Sequence, residues 1–578
     1  MNQIEEVKRL VCAPKYLEKG ESFKQGMARI AHHLSDNTEH FNHTKEMLEE
    51  QRFLPAGRVQ ASAGATRVTT AFNCFVSPTI LDSMDGIMEA LAKAAQTMRL
   101  GGGDGFDFST IRPSGALIKS LGSTSSGPIS FMGMWDAMCA TIKSAGHRRG
   151  AMMGVMRIDH PDVEEFITAK QDNGKLTNFN ISVAITDKFM EALRNDDNFD
   201  LVFPVGSDNV YKTVKARALW DKIMRNTWSY AEPGVLFIDT INKKNNLYYC
   251  ETIAATNPCG EQPLPPNGAC LLGSINLVKY CKLTPPDLFS PTPYLDYDKI
   301  KEDIPHIIRM MDNIVDRTVY PLKEQEVEAK NKRRMGIGIT GLANTLSFFG
   351  IRYGSPESIS FTSSLMEVIR DECYRASIEL AKEKGPFPLF DADKYLGSPD
   401  SFIQTLPDDI KGDVKEFGIR NSHLLSIAPT GTISLWAGNV SSGIEPVFSH
   451  EQERTVYMPD GNGAQQTFVI QDYAYSEWGI KGELSDEIGA KAHIDMLTTV
   501  SRYVDSACSK TCNVGDEVPF DDFKDLYLRA YEGGASGCTT FNVSRLTKSV
   551  LKKVETVKDK EGAACYIDPE TGERSCSD

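Results

Sequence analysis

Asn257-Pro258-Cys259-Gly260-Glu261-Gln262-Pro263-Leu264-Pro265-Pro266 is the stretch on which the reading of this chain turns. Its prolines and glycine forbid a regular helix, and Pro258 cannot donate to a central sheet ladder. The segment is therefore expected to be an extended loop. In extended backbone the side chains at i, i+2 and i+4 share one face, which would send Asn257, Cys259 and Glu261 into one pocket. An amide, a thiol and a carboxylate would converge there. Taken by themselves, the same residues also fit an ordinary buried cysteine beside a turn and a solvated loop carboxylate.

The chain around this segment has 578 residues, enough for a large catalytic domain with appendages and a deep site that excludes water. Apolar residues make up 41% and charged residues 24%, as in ordinary soluble proteins, and no apolar run is long enough to span a bilayer. The first residues lack the pattern of a secretory signal, so a cytoplasmic location is expected. A net charge of −15 argues against a nucleic-acid-coating role, which needs clustered Lys and Arg. Thirteen cysteines, an odd number, fit reactive or buried thiols better than a secreted disulfide framework.

Three regions are expected. Residues 1–52 read as amphipathic helices, with Phe23, Met27, Ile30 and Ala31 at helical spacing before the turn at Pro55 and Gly57. From 53 to 545, helical stretches such as DSMDGIMEALAKAAQTMRL and HPDVEEFITAK alternate with short apolar runs such as VLFI and MGIGIT, which favours one large α/β domain. Residues 546–578 turn charged and polar and are expected to form a flexible tail with little to bury.

NPCGEQPLPPNGACLLGSINL, with FNCF, GGGDGFDFSTIRPSG, HRRGAMM and SIAPTGTIS, resembles the catalytic subunit of ribonucleotide reductases, and the motifs come in that family's order. The resemblance implies a ten-stranded α/β barrel of two parallel half-sheets, with the Cys259 loop as a central finger and an N-terminal helical cap. It implies that Cys259 becomes a thiyl radical and abstracts hydrogen from the ribose 3′ carbon, a role suited to a soft, redox-active sulfur. Glu261 would be the general base on the 3′ hydroxyl and Asn257 a ribose hydrogen-bond partner. Cys74 and Cys270 match the dithiol oxidised in each turnover, and Cys565 and Cys576 in the tail match the shuttle that reduces it again. Asn73, Gly103 and the run Ala428-Pro429-Thr430-Gly431-Thr432 match substrate contacts, the last as a phosphate cradle. As a lone signal that run is equally an ordinary turn.

The resemblance also implies regulation. Asp82, Ser83, Arg112 and Arg148 match positions that bind a deoxynucleotide or ATP effector, at a site that lies on a homodimer interface in the family. Without it, Asp82 or Ser83 would be read as a helix N-cap, and His147, Arg148 and Arg149 as a solvated cationic turn. The residues before FLPAGR lack the start of an ATP cone, so dATP inhibition through such a domain is not expected.

The radical source is read from GCTTFNVSR at 537–545, where relatives fed by a separate metal-containing subunit carry two adjacent tyrosines. Thr540 and Phe541 stand in those places, and neither passes an electron as a phenol does. With no glycyl-radical motif either, the resemblance points to adenosylcobalamin as the cofactor, without a separate radical-generating subunit. Diphosphate substrates are favoured over triphosphates, and a thioredoxin or glutaredoxin would be the reductant. The alternatives are a subunit that receives its radical from a partner, a non-catalytic nucleotide-binding regulator, and a zinc protein built on Cys508 and Cys512.

Overall fold

The computed structural model describes residues 2–142, 150–171, 174–285, 291–457, 465–515 and 518–541, and the backbone of Leu551–Lys553. The N-terminal periodicity folds as expected into α1 (Phe23–Leu34) and α2 (Thr38–Glu49). Ser22 and Gln25 form a reciprocal capping box at the start of α1, and Asn37 caps α2. Met27, Ile30, Ala31 and Leu34 then bury one face of α1 in the main core. Ahead of these helices the chain makes a π turn at Lys8–Cys12 between two short α turns.

The apolar runs become strands of a parallel sheet. β1 (Cys74–Val76), β2 (Gly103–Asp107), β3 (Met152–Arg157), β4 (Phe179–Ile185) and β5 (Gly234–Phe237) pair in that order, each parallel to the next. β3 and β4 are buried almost throughout, which explains why they read as continuous apolar runs: a parallel sheet is covered on both faces. One face packs against helices that include α3 (Met84–Arg99) and α4 (Pro128–Thr141).

A hairpin of β6 (Ala255–Thr256) and β7 (Pro263–Leu264) carries the Cys259 segment. It leads into β8 (Ala269–Cys270), antiparallel to β1, and β9 (Leu272–Asn276). After the long helix α5 (Tyr297–Arg317), β10 (Gly336–Thr340) pairs parallel with β9. These strands pack against α5 and α6 (Pro356–Lys384). The short helix α7 (Gly431–Trp436) and an antiparallel pair, β11 (Glu451–Tyr457) with β12 (Gln465–Gln471), follow. β13 (Thr511–Asn513) and β14 (Gly537–Phe541) pair parallel, and β14 runs antiparallel to β5. Single parallel bridges, Ile337 to Leu425 and Ile427 to Cys508, link the segment at 424–427 to its neighbours.

The fold is thus mixed α/β around a large, mainly parallel sheet. A third apolar cluster lies between sheet and hairpin: Cys74, Val76, Met153, Val155, Ala184 and Leu236 face Ala255 and Leu264. No helix among the described residues is long and apolar enough to cross a membrane. The tail expectation needs one correction. Leu551–Lys553, placed at the sequence level in a segment with little to bury, form a strand, β15, on the edge of β11. An edge strand supplies unpaired N–H and C=O groups that a polar, charged segment satisfies as well as an apolar one.

Candidate active site

The Cys259 segment is a tight turn, which corrects the extended-loop expectation. Asn257 N–H donates to Gln262 O (3.1 Å) and Gly260 N–H to Asn257 O (3.1 Å), while Gln262 N–H donates to the Asn257 side-chain oxygen (3.0 Å). Gly260 sits at φ +81°, a conformation glycine adopts without the Cβ penalty. The i, i+2, i+4 alternation therefore stops at the hairpin tip, and the convergence of the three side chains has another origin: the turn folds them back.

Neighbouring strands hold this tip. Asn180 Nδ2 donates to Pro258 O (3.0 Å), and Ser426 Oγ (2.8 Å) and Ala507 N–H (3.0 Å) donate to Glu261 O. β2 passes so close that a Cβ on Gly105 would lie 1.9 Å from Thr256 O, and one on Gly103 3.1 Å from the Pro258 ring. Gly103, expected to contact substrate, thus also admits the hairpin.

Cys259 is half-buried and stands between two spaces. On one side is a tight cavity of about 20 Å³ lined by Asn73, Cys74, Glu261, Ala428 and Thr430 among others. That is room for one water and not for a ribose. On the other side is a cavity of about 380 Å³, and Pro429 and Cys259 line both. Glu261 is buried, and burial followed by the nearby Cys74 thiol pushes its carboxyl up to about 8. Glu261 Oε2, Asn257 Nδ2 and Asn73 Oδ1 are buried without a hydrogen-bond partner among the described residues. Buried polar atoms are rarely left this way unless a ligand completes them. The β1–β8 register sets Cys74 directly opposite Cys270, and opposed residues of an antiparallel pair have Cα atoms within disulfide range.

The run 428–432 leads into α7 at the same place. Thr430 adopts φ +52°, unusual for a β-branched residue. Its hydroxyl meets those of Thr340 (3.0 Å) and Ser434 (2.9 Å) and accepts from Gly443 N–H (2.8 Å). The Thr430 side chain is thereby committed to the scaffold. Pro429 lines both cavities, and Gly431 and Thr432 line the larger one.

The expected effector residues lie together elsewhere, at the start of α3. Arg112 donates to Asp82 three times, from its backbone N–H (3.1 Å), from Nε (2.8 Å) and from Nη2 to the carbonyl (3.2 Å). Ser83 is an N-cap, accepting from Gly86 N–H (3.1 Å). Arg148, Cys565 and Cys576 lie outside the described residues. Thr540 is buried, with its hydroxyl 2.9 Å from the Tyr527 phenol.

Sequence reasoning missed the wall of the larger cavity. Lys510, buried, donates to Glu445 (2.7 Å) and to His493 Nδ1 (3.1 Å), and Glu445 also accepts from Thr511 N–H (2.6 Å). Asn180, which holds the hairpin tip, was missed too. These residues come from segments far apart in the chain, and no spacing rule links them.

The chain matches the family model described as ribonucleotide reductase, barrel domain, over residues 72–541. It is similar to the vitamin B12-dependent ribonucleoside-diphosphate reductase of Thermoplasma acidophilum, 34% identical over 90% of this chain and 68% of that protein. The Mycobacterium tuberculosis protein of the same name is 32% identical, over 87% of this chain and 72% of its own length. A vitamin B12-dependent ribonucleotide reductase of Streptomyces coelicolor is 26% identical over 85% and 58%. With the matched region enclosing the Cys259 hairpin, the Cys74–Cys270 register and the 428–432 loop, the chain belongs to the ribonucleotide reductase family.

Proposed function

We propose that this chain is an adenosylcobalamin-dependent ribonucleoside-diphosphate reductase. The observation that carries the reading is Cys259 at a hairpin tip, with Glu261 and the Cys74–Cys270 register on one side and a large cavity on the other. Ribonucleotide plus two thiols gives deoxyribonucleotide, a disulfide and water. Cys259 takes the 3′ hydrogen and returns it. Glu261 accepts the 3′-hydroxyl proton, Asn257 Nδ2 donates to the ribose, and Asn73 Oδ1 accepts from it. Cys74 and Cys270 supply the two electrons and close to a disulfide. The 428–432 loop would hold the phosphates through backbone N–H groups at the start of α7.

The larger cavity fits the cofactor chemically. Ser441, Ser442, Ser449 and Asn439 give it neutral polar groups beside the charged Glu232, Glu445, Asp472, Arg454 and Lys510, and Asn513 Oδ1 is buried there without a partner among the described residues. Such a wall suits a ligand rimmed with amides. When bound, adenosylcobalamin supplies the one-electron chemistry that makes Cys259 a thiyl radical. The relatives' names support both the cofactor and the diphosphate substrate.

The same reading covers the architecture and the assembly. The pairings run from β8 through β1 to β5, β14 and β13, single bridges join 424–427 to Cys508 and to β10, β10 pairs with β9, and the chain itself runs from β8 into β9; this order supports a ten-stranded barrel around the hairpin. Residues 1–52 are its cap, 53–545 the catalytic domain and 546–578 the redox tail. Leu81, Met84 and Met88 expose apolar surface beside Asp82 and Arg112, which supports a homodimer with the effector at its interface. A thioredoxin-type protein would reduce the tail. The test is anaerobic reduction of CDP and CTP with dithiothreitol, with and without adenosylcobalamin, by the wild type and Cys259→Ser. Cobalamin-dependent product lost in the variant is expected. Product without cobalamin, or retained in the variant, refutes the reading.

A further inference from the structure

We propose that strand β15 is a tether that holds the C-terminal tail at the rim of the larger cavity and so sets the reach of Cys565 and Cys576. The inference rests on the reading of those two cysteines as the thiol shuttle. Lys553, Lys552 and Leu551 pair antiparallel with Gln452, Glu453 and Arg454 of β11. Gln452 and Arg454 line the same cavity as Cys259. β15 therefore lies at the wall of the space that the two tail cysteines would serve.

The foundation of this tether is firm. β11 pairs with β12 along its whole length, from Glu451 with Gln471 to Tyr457 with Gln465. β12 is in turn pinned by the N-terminus, where Gln3 N–H donates to Val469 O (3.1 Å) and Gln471 N–H to Asn2 Oδ1 (3.2 Å). Asn439 Nδ2 donates to Gln471 O (3.0 Å) from the helix side. β12 occupies one edge of β11 and β15 the other.

Chain length turns this anchor into a rate. Counted from Phe541, the end of β14, Cys565 is 24 residues away; counted from Lys553 it is 12. The greatest span of the arm falls from about 80 Å to about 40 Å. Effective concentration scales roughly as the −3/2 power of linker length, so halving the arm raises it about threefold. The step served is thiol–disulfide exchange. A thiolate of the Cys565/Cys576 pair attacks the Cys74–Cys270 disulfide, and the second tail thiol resolves the mixed disulfide. The tail becomes the disulfide and the active site the dithiol; an external dithiol protein then reduces the tail.

The test compares two reductants on the full-length holoenzyme. Lys552→Pro/Lys553→Pro places adjacent prolines in β15, so that a ladder donor is lost whichever alternate position carries it. With thioredoxin as reductant, turnover is expected to fall about threefold. With dithiothreitol, which reaches the internal disulfide directly, turnover should be unchanged, and this also reports that the variant is folded. Inserting 12 Gly/Ser residues after Lys553 should reproduce the threefold loss with β15 intact. Hydrogen exchange should find the amides of 551–553 protected in the wild type. Equal thioredoxin-driven rates in wild type and the proline variant, or unprotected amides, overturn the tether. Cys565→Ser/Cys576→Ser separates the two readings: if it keeps thioredoxin-driven turnover, the shuttle assignment fails and the tether falls with it.

Discussion

Replacing Glu261 by Gln should weaken the enzyme and strengthen the fold, with the second effect growing as pH rises. The carboxyl is fully buried and pushed up to about 8 from an ordinary 4.5, first by desolvation and then by the Cys74 thiol. Between these two values the unfolded chain has released the proton and the folded chain still holds it. Stability therefore falls as pH rises through that window, by about 1.4 kcal/mol per pH unit. By pH 7 the accumulated cost is about 3 kcal/mol. Glu261→Gln removes this term. Its urea midpoint should equal the wild type's near pH 4.5, exceed it at pH 7 and exceed it further at pH 8. Activity should move the other way. A base that ionises at about 8 makes kcat/KM of the prereduced enzyme rise about tenfold per pH unit from 6 to 7 and level off above 8; the Gln variant should lose roughly 10²–10⁴-fold. The reasoning fails if the two proteins show the same pH dependence of stability, or if the rate profile is flat from pH 6 to 8.

Three other perturbations test separate parts of the structure. Gly105→Ala would press a Cβ to 1.9 Å from a backbone oxygen of the hairpin, which no side-chain rotation relieves; a loss of about 1–3 kcal/mol and of single-turnover product is expected, with Gly103→Ala milder, measured by thermal melts and quenched-flow product. Arg112→Ala removes the two side-chain hydrogen bonds to Asp82 and keeps the backbone one, and should abolish the shift in substrate preference caused by deoxynucleotides; because the pair is about a third exposed, the melting temperature should change little. At the N-terminal cap, burial holds His40 and His306 down at about 4, and His43 stacks on His306 at 3.7 Å with Asp303, Glu302, Asp36, Arg309, Lys384 and Arg52 around them. Below pH 6.5 the unfolded cap takes protons that the docked one refuses, so stability should fall toward pH 4 and limited proteolysis at 35–37 should accelerate between pH 7 and 5; unchanged cleavage would refute this.

How much could be read in advance depended on how local the cause was. Phe23, Met27, Ile30 and Ala31 announced α1 because a helix repeats every 3.6 residues. Gly336–Thr340 read as a strand because both its faces are covered. Cys259, Glu261 and Asn257 were legible as a group because they occupy one short segment, and Cys74 and Cys270 through the family's motif. Other features required the fold. The hairpin turn at 257–262 is closed by hydrogen bonds that only the completed tip defines, and the alternation rule used for the loop was the wrong local geometry. The about 8 value at Glu261 follows from burial, which no sequence spacing states. Lys510 with Glu445, Asn180 under Pro258, and β15 on β11 join residues 65 to 101 positions apart. What the sequence by itself determined was the set of reacting groups and the periodic elements that carry them. The tertiary structure decided which groups meet, which are dry and where the tail is anchored, because desolvation and long-range pairing exist only once distant segments have closed on one another.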